Sequence, residues 1–87
     1  MKITTQSGFT CDLPENAADN MELVDALAEM QGDSDILAVS RVLRLLVGDD
    51  IRKALYEHLR VDGRVPLAAV QTEITDIFSA LGQTGKN

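Results

Sequence analysis

The 87-residue sequence has one cysteine, one histidine and few basic residues, and each scarcity removes a class of function. A lone Cys11 allows no internal disulfide, so nothing points to an oxidising compartment. With His58 as the single imidazole, a zinc site would need at least three carboxylate ligands, an unfavourable donor set for that metal. Fourteen acidic against eight basic side chains give a net charge of −6, a field that repels nucleic-acid phosphates and anionic membrane surfaces. No nucleic-acid or membrane partner is therefore expected. The opening MKITTQSGFT has no apolar run suited to a signal peptide, and the longest apolar-rich stretch is too short to span a bilayer and carries two arginines. G-x-G-x-x-G, G-x-x-x-x-G-K and G-x-S-x-G are all missing, leaving nucleotide binding and nucleophile-elbow hydrolysis without support. The expectation is a protein with no catalytic residues, no metal and no cofactor.

What is present is enough to fold. Apolar residues make up 45% of the chain and charged ones 25%, far from the composition of disorder. A chain this short makes one core and buries only about 60 to 65% of its unfolded surface. That core is organised around 36–47, ILAVSRVLRLLV, in which nine of twelve residues are apolar and Ser40, Arg41 and Arg44 form one narrow polar stripe. A helix apolar around most of its circumference has to be wrapped by other elements or by a partner.

Residues 2–13 alternate with period two on either side of Gln6-Ser7-Gly8, predicting a β-hairpin. Gly8 in the left-handed position would set Thr5 opposite Phe9 and Ile3 opposite Cys11, with Cys11 acting as a small hydrophobe on the inward face. An isolated hairpin is marginal in water, so its apolar side should lie on the helices, the central one foremost. Asp19-Asn20-Met21-Glu22 has the form of a capping box, starting a first helix over about 20–31 that stops at Gly32. The central helix spans 35–47 from a cap at Asp33 or Ser34, and Gly48 separates it from a third helix over 50–60 in which Arg52, Lys53 and Glu57 face water. Asp62-Gly63 is a turn, and Pro66 opens a last helix over 66–81. That helix carries the apolar seam Leu67, Val70, Ile74, Ile77, Phe78 and Leu81, opposed by Gln71, Glu73, Thr75 and Asp76, and closes at Gly82. The fold expected is α+β: an N-terminal β-hairpin packed on a small bundle of four helices, a single domain over 1–82 with 83–87 as a polar tail.

Three local patterns resemble functional sites. Asp33-Ser34-Asp35 begins like a calcium loop but has Ala38 where the loop needs glycine and Arg44 where it needs glutamate. Gly32-Asp33-Ser34 resembles the phosphopantetheine attachment site of acyl carrier proteins, which would make Ser34 the modified residue. Against that alternative stand Asp35 in place of an apolar residue, a following helix that is basic at Arg41 and Arg44, and the opening hairpin. Serine as a plain helix cap is the simpler reading. The tight Val47-Gly48-Asp49 join suits a helix-turn-helix, yet Arg52 and Lys53 would approach DNA beside Asp49, Asp50 and Glu57.

Along most of its length the chain resembles the tail assembly chaperones of long-tailed bacteriophages and prophages. The resemblance is carried by KITTQSGF, by 21–27 (MELVDAL), by 42–48 (VLRLLVG), and by His58-Leu59-Arg60 leading through Asp62-Gly63-Arg64-Val65-Pro66 to 73–78 (EITDIF). It implies a non-enzymatic protein in the cytoplasm of the bacterial host that binds the tape-measure protein during tail morphogenesis, with the tail-tube protein as a further candidate partner. It also implies absence from the mature virion. In that family some ribosomes slip back near the end of the gene to make an extended form, and Thr84-Gly85-Lys86 is compatible with a slippery codon run. Accessible apolar surface on the last helix or on one side of the central helix would serve such a role, with Arg41 and Arg44 meeting acidic groups on the partner. A homo-oligomer is compatible with the pattern, as is a prophage adaptor with another partner.

Overall fold

The computed structural model describes residues 1–31 and 36–85. Two short strands, β1 (Lys2–Thr4) and β2 (Thr10–Asp12), are followed by three helices, α1 (Met21–Gln31), α2 (Ile36–Leu59) and α3 (Leu67–Gly85).

The hairpin has the register that its alternation requires: Ile3 faces Cys11, and the Thr5 N–H donates to the Phe9 carbonyl at 2.9 Å. Gly8 closes the loop at φ 91°, a left-handed conformation costly for residues with a Cβ. Ile3, Thr5, Phe9 and Leu13 are buried. β1 packs against α3, and Phe9 meets His58 of α2, so the hairpin rests on both helices and not foremost on the central one. The Thr5 hydroxyl donates to Glu73 and the Gln6 N–H donates to Asp76 at 3.0 Å.

Helix α1 starts one residue later than the capping box placed it. Asn20 Oδ1 accepts the Glu22 N–H at 3.0 Å, so Asn20 and not Asp19 is the cap. The expected stop at Gly32 and the cap at Asp33 or Ser34 lie outside the described residues.

Three helices stand where four were expected, since 35–47 and 50–60 form a single element. Gly48 alone leaves the helical region, at φ 82° and ψ −179°, and helical geometry continues on both sides with no linker. That backbone conformation is essentially confined to glycine. The turn it makes is large. In a straight helix Val39 and Tyr56, seventeen positions apart, would be separated by about 25 Å, yet here they line one groove. Ala38, Val39, Val42, Leu43, Leu46 and Val47 are buried, so the first arm of α2 is enclosed as its composition demanded. Its first turn is not: Ile36 and Leu37 are 59% and 75% exposed.

After α2, Asp62 and Gly63 both have positive φ (53° and 80°) and paired Val61–Arg64 backbone hydrogen bonds close a two-residue turn. Helix α3 then runs through Gly82, which has no positive φ to stop it, so 83–85 continue the helix and are not part of a tail. Val70, Ile74, Ile77 and Leu81 are buried, whereas Leu67 at its start is 45% exposed. No described helix is long and apolar enough to cross a membrane.

Candidate protein-binding groove

The six large apolar side chains that remain exposed among the described residues are Met21, Val24, Ile36, Leu37, Val61 and Leu67. Ile36 and Leu67 join Val39, Ser40, Tyr56, Val65 and Val70 around a groove of about 210 Å³. It lies between the two arms of α2 and the start of α3, so the turn at Gly48 creates it. A second depression of about 260 Å³, lined by Val61, Asp62, Arg64 and Pro66, shares Val65 and Leu67 with it and extends the apolar surface. A larger groove of about 380 Å³ between α1 and α3 is lined by Leu27, Met30, Ile74, Thr75, Phe78 and Ser79, but none of the six exposed apolar side chains borders it. The groove between the arms of α2 and the start of α3 thus has large exposed apolar side chains, Ile36 and Leu67, at its rim, and the larger one has none.

Arg52 was expected to face water. Its side chain is instead 16% exposed, with the guanidinium 5.5 Å from the Tyr56 ring centroid and Nη2 3.3 Å from Asp49. Contact with Tyr56 and then Asp49 holds its pKa above the ordinary arginine value. Its Nε is buried without a partner. Tyr56 lines the groove, so this arginine flanks it.

The two arginines suggested for partner binding are not equivalent. Arg41 pairs with Glu29, joining the polar stripe of α2 to α1. Arg44 is exposed and makes no ion pair among the described residues. Neither lines the groove. Ser34, the residue of the carrier alternative, and Asp33 and Asp35 lie outside the described residues.

His58 braces the fold. Its Nε2 lies 3.1 Å from the Ser7 carbonyl and 3.2 Å from Ser7 Oγ, and its ring centroid is 5.5 Å from that of Phe9. A carbonyl only accepts, so the contact with it is a hydrogen bond in the tautomer that carries the proton on Nε2. The contact fastens the hairpin loop to the second arm of α2. Ser7 also bonds Thr5, whose hydroxyl reaches Glu73 at 2.7 Å. Glu73, assigned from sequence to the wet face of the last helix, is 2% exposed. It sits three positions after Val70 and four before Ile77, a spacing that already placed it on the seam. Cys11 is half-buried beside this network. Burial foremost, then the charges of Asp12 and Glu73, push its thiol above the ordinary value of 9.0.

Comparison of the chain with family models, curated proteins and solved structures finds no match. No group of three or more potential metal ligands occurs among the described residues.

Proposed function

We propose that the chain is a phage or prophage tail assembly chaperone, a non-enzymatic protein whose groove between the arms of α2 and the start of α3 receives an apolar helical segment of the tape-measure protein in the host cytoplasm. The observation carrying this reading is the placement of Ile36 and Leu67, large apolar side chains left in solvent at the rim of an apolar groove. Exposed apolar side chains gathered around a concavity favour association with an amphipathic helix, which docks through anchors at i, i+3, i+4 and i+7. The net charge of −6 favours the role as well, since it keeps complexes with an apolar client apart from one another. The sequence resemblance supplies the identity of the client. Arg44, exposed but outside the lining of the groove, is a basic residue available to an acidic group on that partner beyond the groove itself.

The test is co-expression of the chain with the tape-measure protein encoded beside it. The wild-type chain is expected to keep the tape-measure protein in the soluble fraction and to co-purify with it, and Leu67→Glu to lose both effects while remaining folded. A tape-measure protein equally soluble with and without the chain overturns the proposal.

A further inference from the structure

Thr5, Gln6 and Ser7 are consecutive in the hairpin loop, yet their polar groups go to two different helices. The Thr5 hydroxyl donates to Glu73 at 2.7 Å and the Gln6 N–H donates to Asp76 at 3.0 Å, both on α3. Ser7 presents its carbonyl and its hydroxyl to His58 on the second arm of α2, where the Phe9 ring also packs on the imidazole. The loop is braced from within. The Gly8 N–H donates to the Thr5 carbonyl at 3.0 Å, the Thr5 N–H to the Phe9 carbonyl at 2.9 Å, and the hydroxyls of Thr5 and Ser7 are 3.2 Å apart. A loop closed by its own hydrogen bonds opposes separation of the groups tied to its two ends, because those bonds weaken steeply with distance and misalignment.

Both attachments back the walls of the groove. Tyr56, on one wall, is two positions before His58, and Val70, on the other, is three before Glu73. Three positions advance a helix by about 4.5 Å, so each attachment stands within one turn of the wall residue it supports. Two positions turn it by about 200°, so His58 is gripped from the side of α2 opposite to Tyr56. Direct packing of α2 on α3 is sparse beside that of α2 on α1, which makes the loop a substantial part of what joins the two walls.

We infer that the loop segment 5–7 is a strap that sets the width of the groove. Tied at both ends, it holds Tyr56 and Val70 at their present spacing. Released at either end, it lets the second arm of α2 turn about Gly48 and the groove widen. Thr5, Ser7, His58, Glu73 and Asp76 are then positioning residues, none of which lines the groove, and together they govern how bulky a side chain it accepts. The inference shares the groove with the chaperone reading but does not rest on it, since groove width is a property of the chain alone.

Tyr56 is the only tyrosine and the chain has no tryptophan, so its fluorescence reports the groove without a label. Quenching by acrylamide, a neutral molecule indifferent to the net charge of −6, measures how far solvent reaches the ring. His58→Ala releases the strap from α2, and Thr5→Val combined with Asp76→Ala releases it from α3. Each is expected to raise the quenching constant about twofold, the change for a half-buried ring becoming exposed, while circular dichroism stays native. Combining both releases is expected to add nothing further, because a strap freed at one end restrains nothing, whereas independent stabilising contacts would add. Leu27→Ala, which removes packing between α1 and α3 away from the strap, is expected to leave Tyr56 as in wild type. His58 is exposed, so His58→Ala keeps the test decisive even where the α3 release fails to fold. Unchanged quenching in a folded release variant overturns the inference, as do additive rises in the combined variant or an equal rise in Leu27→Ala. Retention of the tape-measure protein is a separate measurement, so failure of the strap and failure of the chaperone reading are told apart.

Discussion

The hydroxyl of Thr5 donates a 2.7 Å hydrogen bond to Glu73 across 68 positions of sequence, and both residues are buried. A carboxylate enclosed in this way has exchanged its water for few protein donors, so the one it keeps matters. Replacing Thr5 with valine preserves shape and removes that donor. The expected cost is about 1–3 kcal/mol, read from urea unfolding, with Glu73→Gln costing less because the amide still offers an acceptor without a charge to desolvate. A Thr5→Val variant as stable as wild type would mean that the hairpin is not held on α3 in solution.

Gly48 has open space where a Cβ would stand, so Gly48→Ala meets no clash and its penalty is purely conformational. A non-glycine residue at φ 82° and ψ −179° is strained by about 1–3 kcal/mol. Thermal or denaturant unfolding should show that loss. If the substitution instead straightens the helix, small-angle scattering would record a longer particle than the 12.5 Å Cα radius of gyration implies.

The raised thiol pKa of Cys11 predicts an alkaline dependence of stability. Above 9.0 the unfolded chain releases the proton that the folded chain retains, so the Cys11 contribution to stability is constant below that pH and declines as pH rises toward the folded value. Cys11→Ala is expected to flatten this limb of the pH profile. Alkylation of Cys11 in the native protein should be slower than that of the unfolded chain at the same pH.

The Arg41–Glu29 pair lies about half exposed on both sides, at 52% and 47%, so solvent and salt screen it. Arg41→Ala is expected to change stability by less than about 1 kcal/mol, with the difference shrinking at high ionic strength. Arg44 has no such partner among the described residues, and Arg44→Glu should leave stability unchanged to within about 0.5 kcal/mol while, on the chaperone reading, weakening retention of the tape-measure protein. Equal retention by wild type and Arg44→Glu would remove this residue from the binding surface.

Much of the fold was legible because local rules decided it. The hairpin register follows from alternation around Gly8, and the break in the long helix follows from Gly48 beside two aspartates. The two-residue turn at Asp62-Gly63 was equally plain. The errors came where tertiary contacts outweighed residue type. Glu73 and Arg52 were assigned to solvent because they are charged, although both stand three or four positions from core residues on their own helices. Gly82 reads as a stop in the sequence, but a glycine stop takes the left-handed conformation, and Gly82 does not. The groove itself was invisible in one dimension, since Ile36, Tyr56 and Leu67 meet only after the chain has turned at Gly48.

That turn also couples two places that share no residue. Tyr56 and His58 stand two positions apart on the same arm of α2, one bordering the groove and the other gripping the Ser7 loop. Swinging this arm about Gly48 to admit a bulkier guest would carry His58 with it and strain its hold on the N-terminal ribbon. A guest wedged between the arms would in that event be felt at the far side of the molecule, as a load between the jaws of pliers is felt at the handle.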